Sequence, residues 1–284
     1  LNRSWITSLK FDASVNFNDN LYRFHKYESY ASNQPAVHAE IPGYFLADQL
    51  PLTYFSDQIT DSKELDFAAS LKYNWNKRWD DWKSLLKAGV QWKANGNVGQ
   101  GEYYEDPALA ANGYRPRPYT DYPFMHNLSV YAEEQLTIPI ATTKLEIMAG
   151  LRLENVFIKN SLYNNKTTLS PRFNAKWQLT EGLSIRGGWG ITEKLPSYYI
   201  LYPKQEYRDI QTFGFSYGDK ASYIYYTQPY TVTYNPDLRW QRNSNSEVGI
   251  DAAFADMKLS LVGFYNVTKG PYNFLNVYEP YSYD

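Results

Sequence analysis

The run Tyr114-Arg-Pro-Arg-Pro-Tyr119 sets two guanidinium groups, Arg115 and Arg117, between aromatic rings. Fixed cations in such a setting suit an anionic ligand. A second concentration of chemistry lies in 194–243, where Tyr199, Tyr202, Tyr223, Tyr225, Tyr226, Tyr230, Tyr234 and Trp240 fall close together. Tyrosine offers a flat apolar face and a hydroxyl at small entropic cost. These residues therefore suit capture of a glycan, an aromatic chelate or a protein, the alternative being that the loops pack on themselves. No catalytic, metal-ligating or cofactor-binding set is expected. His25, His38 and His126 are far apart and none sits in a paired-ligand spacing. Gly96, Gly99 and Gly101 fit no phosphate-binding motif, and Arg186-Gly-Gly-Trp-Gly190 lies inside a strand pattern, where glycines permit close packing or a bulge. Asp106-Pro107 through Gly113 has the cap, proline and terminal glycine of a short loop helix.

Composition narrows the class. Twenty-eight basic against 30 acidic residues give a net charge of −2, without the basic excess of a nucleic-acid partner. The chain has no cysteine, which removes disulfides, thiol catalysis and Cys-ligated zinc. It holds no apolar run long enough for a transmembrane helix. Aromatics make up 18%, which argues against disorder. A mean hydropathy of −0.57 beside 28 tyrosines points to amphipathic strands.

Those strands are what would carry the loops. Trp5, Thr7, Leu9, Phe11, Ala13, Val15 and Phe17 share one face, with Ser8, Lys10, Asp12, Ser14 and Asn16 on the other. Asn18-Asp19-Asn20 reads as a turn before a second strand at 21–31. Further strands are expected at 65–76, 86–95, 128–138 (its apolar face broken by Glu134), 145–153, 167–179, 183–193, 244–254 and 258–268, with a truncated one near 274. Short turns at 18–20, 77–83, 139–143, 180–182 and 255–257 alternate with long loops at 32–61, 96–126, 157–166 and 194–243. In an up-and-down meander, alternate connections share an end. One end therefore carries turns and the other loops, as in outer-membrane barrels. The strands are long enough to cross hydrocarbon, and Trp5, Phe17, Trp75, Trp79, Trp82 and Trp92 near their ends suit the interface.

The expected fold is all-β: an antiparallel up-and-down transmembrane β-barrel, partial, with long extracellular loops and short periplasmic turns. On its polar face Lys10, Asp12, Asp66, Lys72, Lys87, Lys93, Glu146, Arg152, Glu154, Arg172, Lys176 and Arg186 carry both signs. Such a face lines a water-filled channel or seats a polar plug. The chain opens on Leu1 rather than methionine and stops within a Tyr-rich stretch, so a piece of a longer protein is expected.

Some segments go beyond pattern. Leu169-Ser-Pro-Arg-Phe-Asn-Ala-Lys-Trp-Gln-Leu179 precedes a Thr-Glu-Gly turn and Leu183-Ser-Ile-Arg-Gly-Gly-Trp-Gly190. Lys194-Leu-Pro-Ser197 and Asn235-Pro-Asp-Leu-Arg-Trp-Gln-Arg-Asn-Ser-Asn-Ser-Glu-Val-Gly-Ile-Asp251 follow. Together with Val130-Tyr-Ala-Glu-Glu-Gln135 and Ala149-Gly-Leu-Arg152, their order resembles the barrel of TonB-dependent outer-membrane receptors. The resemblance departs at Ile191-Thr-Glu-Lys-Leu195 and at Trp240-Gln241, which touches ligand class rather than fold.

The resemblance implies a 22-stranded barrel, of which residues 1–284 supply about ten to twelve strands as one barrel fragment. The N-terminal plug and the remaining strands lie outside the chain. It implies active import of a large or scarce ligand (glycan, siderophore or vitamin chelate) across the outer membrane of a Gram-negative bacterium. TonB, driven through ExbB and ExbD, would supply the energy. The Tyr-rich loops lean towards the glycan-importing branch of Bacteroidetes, with a surface lipoprotein as a further partner. A passive porin, an adhesin barrel and a soluble β-sandwich carbohydrate-binding module stay open as alternatives.

Overall fold

The computed structural model describes residues 5–29, 35, 37–110, 113–218, 220–278 and 280. In chain order the strands are β1 (Ser8–Ser29), β2 (Gly43–Asp48), β3 (Thr53–Trp79), β4 (Trp82–Asn97), β5 (Gly101–Tyr104), β6 (Met125–Ile140), β7 (Thr143–Ile158), β8 (Lys166–Thr180), β9 (Leu183–Lys194), β10 (Tyr207–Tyr217), β11 (Lys220–Pro229), β12 (Gln241–Phe254) and β13 (Met257–Lys269). A single helical turn, α1 (Tyr198–Leu201), lies between β9 and β10. The main sheet runs β1-β3-β4-β6-β7-β8-β9-β12-β13, with β5 added to the upper part of β3. Every pairing is antiparallel. Among the described residues the sheet is an open wall with β1 and β13 at its edges.

The register aligns one apolar row across the wall. Phe11 pairs with Leu71, Leu71 with Val90, Val90 with Val130, Val130 with Leu153 and Leu153 with Leu169. Nearer the turn end of the same face, Leu145 pairs with Trp177, Trp177 with Ile185, Ile185 with Ile250 and Ile250 with Leu261. Apart from half-buried Leu145, these side chains are exposed, Phe11 to 69% and Leu261 to 70%. A contiguous apolar face of this extent marks contact with something other than water. On β1 the row stays apolar from Leu9 to Phe17 and turns charged at Asp19, opposite Lys63. That stretch measures ~27 Å along the strand and ~21 Å in height at a tilt near 40°. Trp75, Trp79 and Trp82 extend it at the turn end, with Lys77 over the Trp79 ring at 4.9 Å. The band therefore matches the apolar belt and aromatic girdle of a membrane barrel. Glu134 falls within the apolar row between Leu86 and Ala149. It is tolerated there because the Ser84 hydroxyl donates to its carboxylate.

Connections sort by end. Two-residue turns at 80–81, 141–142, 181–182 and 255–256 lie at one end. Stretches 30–52, 98–124, 159–165 and 195–240 lie at the other. Three sequence expectations are corrected. Asn18-Asp19-Asn20 is not a turn: all three residues pair, with Glu64, Lys63 and Ser62, inside one 22-residue strand. The local turn preference yields to β3, whose 27 residues offer an unbroken partner. The segment near 274 forms no strand; Tyr272 instead donates to Lys194 O and accepts from the Gln241 N–H. Residues 107–109 make one 3-10 turn capped by Asp106 rather than a longer helix.

Candidate functional site

The long-loop end builds a crown. The run Tyr207–Tyr217 followed by Gly218-Asp219 and Lys220–Pro229 has the pattern of a hairpin, and Gly218 takes the left-handed conformation (φ +59) that the turn requires. β2, from the first long loop, adds to the far side of β11, with Tyr44 opposite Tyr226 and Leu46 opposite Ile224. A three-stranded sheet, β10-β11-β2, thus joins two loops distant in sequence.

Arg115 ties a third loop to this sheet. It is 3% exposed. Its Nη2 meets Asp209 at 2.9 Å, and it donates to Val37 O at 2.8 Å and Ala39 O at 2.6 Å. The guanidinium stacks over Tyr207 at 4.5 Å, and the Thr227 hydroxyl donates to the same Asp209 oxygen at 2.8 Å. Arg117 lies over the Tyr122 ring at 4.8 Å and donates to Tyr202 O. Both arginines are thereby engaged within the crown.

The small sheet has two different faces. Tyr223, Tyr225 and Ala47 lie on the covered face against Val37, and the Tyr225 hydroxyl donates to Gln211 Oε1 at 3.2 Å. On the open face Tyr44 and Tyr226 meet at 5.0 Å, and Phe213 and Phe215 stack at 6.2 Å. Tyr44, Leu46, Phe213 and Phe215 are exposed. Tyr230 is exposed under the Arg208 guanidinium, and Tyr234 is exposed farther along the same loop. The structure therefore separates the tyrosines grouped by sequence: Tyr223 and Tyr225 pack, while Tyr226, Tyr230 and Tyr234 present surface. Tyr44, Leu46, Phe213 and Phe215 join the open face without having been singled out. The aromatic alternation and the Gly-Asp turn were the signal that could have found them.

Beneath lies a packed floor. Tyr122, Tyr198 and Tyr202 contact one another with ring centroids 5.7–6.1 Å apart. Val156, Ile158, Tyr163 and Leu201 form a buried core next to them, with Tyr202, Leu238 and Trp240 against it. The Tyr198 hydroxyl lies 3.2 Å from Pro123 O. Burial pushes its pKa up to about 12 and also raises those of Tyr163 and Tyr202. Tyr202 and Trp240 thus serve the floor; the Tyr199 side chain lies outside the described residues.

The inward face of the wall is charged. Asp12 is shared by Lys10 at 2.8 Å and Lys72 at 3.0 Å. Buried Glu133 is shared by Lys87 at 3.5 Å and Arg172. Arg172 reaches Glu133 across β7 because Gly150 stands between them, where a Cβ would lie 3.1 Å from Arg172 Nε. Gly188 likewise packs closely under Asn174, and no bulge interrupts the pairing of 187–190. The histidines are dispersed: His25 bonds Asp57 at 3.0 Å, His38 donates to Tyr114 O at 3.2 Å, and His126 stacks on Trp92. Among the described residues no three His, Cys, Asp or Glu converge for a metal.

Comparison with known proteins gives a family match. The family model described as TonB dependent receptor-like, beta-barrel matches residues 1–283. Among solved structures, a copper transporter, OprC, matches over 89% of this chain and 38% of its own, with 11% identity and a TM-score of 0.45. The chain thus spans well under half of that protein. No curated protein sequence matches.

Proposed function

Because the chain belongs to the TonB-dependent receptor β-barrel family, we propose that its parent protein imports a large or scarce ligand across the outer membrane, energised by TonB, ExbB and ExbD. The single observation that carries this reading is the exposed apolar face shared by the strands of the main sheet, whose tight turns all lie at one end and whose long stretches all lie at the other. Lipid belongs on that row, and ligand capture belongs to the crown.

The capture surface is read as the open face of the β10-β11-β2 sheet, with Tyr226 and Tyr230 from the candidate tyrosines and Tyr44, Phe213 and Phe215 beside them. Arg115 and Arg117 hold the loops rather than reach for an anion. Exposed rings favour a ligand with flat apolar faces, for which an oligosaccharide is the leading class. This favours the glycan-importing reading over an anionic chelate; a Bacteroidetes source and a surface lipoprotein partner belong to that reading.

The test is uptake of labelled oligosaccharides by cells bearing the intact protein. Uptake is expected to stop when a protonophore collapses the proton gradient, and to fall sharply in the Tyr44→Ala, Tyr226→Ala double variant at unchanged membrane abundance. Uptake that survives the protonophore would instead identify a passive pore.

A further inference from the structure

Across the outward rows of 65–75, 86–94, 128–138, 145–153, 169–177, 185–191, 244–252 and 257–267, every side chain is uncharged except Glu134. A lone carboxylate facing hydrocarbon is costly and marks a function. The Ser84 hydroxyl donates to its Oε1, while Oε2 accepts from no group among the described residues. Ser84 sits on the neighbouring strand, closer to the turn end, and opposite it stands Lys77. Lys77 is exposed and has no ion pair among the described residues. Its ammonium lies over the Trp75 ring at 5.7 Å and the Trp79 ring at 4.9 Å. Lys77 and Ser84 flank the 80–81 turn beside Trp79 and Trp82, and indoles mark headgroup depth. Ser84 draws the Glu134 carboxylate towards that level. A cation and an anion thus face lipid two strand spacings apart, ~10 Å at the backbone.

We propose that Lys77, Ser84 and Glu134 form a binding site for the headgroup of an ethanolamine phospholipid, with its phosphate on Lys77 and its ammonium on Glu134. The inference rests on the reading that the outward face meets lipid. Charge complementarity selects the headgroup. An anionic headgroup would satisfy Lys77 but meet repulsion from Glu134. A choline headgroup carries both charges, but its quaternary ammonium has no N–H to donate to Oε2. A primary ammonium supplies charge and donor together, and such charge-assisted hydrogen bonds are the stronger kind. Binding there pins the turn end of β3, β4 and β6 at the leaflet surface.

Native mass spectrometry of the intact protein, delipidated and then offered phosphatidylethanolamine, phosphatidylglycerol and phosphatidylcholine of the same acyl chains, tests this. The first lipid retained is expected to be phosphatidylethanolamine, preferred over the other two by about fivefold, the contribution of one added hydrogen bond. Glu134→Gln removes a charge from the lipid face, so it should assemble, and it should lose the preference over phosphatidylglycerol. Lys77→Gln should weaken retention of both phosphatidylethanolamine and phosphatidylglycerol. Equal retention of the three lipids, or a preference for phosphatidylglycerol, would overturn the proposal and leave the lipid-facing wall intact. So would a preference for phosphatidylethanolamine that survives Glu134→Gln. Retention of no lipid at all would overturn both the site and the wall.

Discussion

At the scale of single residues, burial decides which polar groups bind and which build. Arg115 and Arg117 look alike in the sequence, set two apart and each followed by a proline. Nothing in the motif says that Arg115 ends 3% exposed against Asp209, because its partners come from loops about 76 and 94 residues away. Removing the guanidinium leaves Asp209 buried without its cation, a loss of about 3–5 kcal/mol for a broken buried pair. Arg115→Met is therefore expected to accelerate amide hydrogen exchange in 37–48 and 207–229 while leaving β6–β9 protected. Tyr198 gives a pH prediction. Its folded pKa, about 12, lies above the ordinary 10.0, so the stability it contributes is complete below pH 10 and is lost as pH rises towards 12. Ultraviolet titration should show a late-ionising phenol together with loosening of the crown in that window, and Tyr198→Phe should abolish the late phase.

At the scale of elements, alternation was legible wherever one face meets lipid and the other does not. Strands at 86–95, 128–138, 145–153 and 167–179 were read within the observed β4, β6, β7 and β8 for that reason. The upper half of β3 was not read. Ser56, Asp57, Gln58, Thr60, Asp61 and Ser62 are polar on both faces, since a strand that has left the membrane has no apolar row to display. β2, β5, β10 and β11 escaped for a related reason: their pairing crosses between loops, and short stretches leave no long period. The lipid row makes its own prediction. Leu71→Arg and Leu151→Arg each place a cation on it, at a cost of about 2–4 kcal/mol near the midplane. Both variants should fail to assemble, as read by loss of the folded band in unheated gels of outer-membrane fractions. Met148→Arg, on the inward row beside Gln135 and Asn174, should assemble.

At the scale of the whole molecule, the account rests on a wall with two chemistries, apolar outside and charged inside, crowned by aromatic loops. The sequence was sufficient for the fold class because that depends on repeated local patterns, and for the family because motifs such as Leu169–Leu179 and Asn235–Asp251 stand in a recognisable order. It was insufficient for the crown because the open face of β10-β11-β2 is assembled from two loops whose contact no local pattern encodes. The claim that the outward row meets lipid is the one on which fold, orientation and import all depend. The absence of cysteine in these residues makes it directly testable with single spin labels. Labels placed in turn at 145–153 of the intact protein in outer-membrane vesicles would be compared for oxygen and nickel-chelate accessibility. Oxygen access should peak at 145, 147, 149, 151 and 153 and fall at each position between, a period of two in phase with the apolar row. Equal nickel access on both faces would place β7 in water and contradict the barrel.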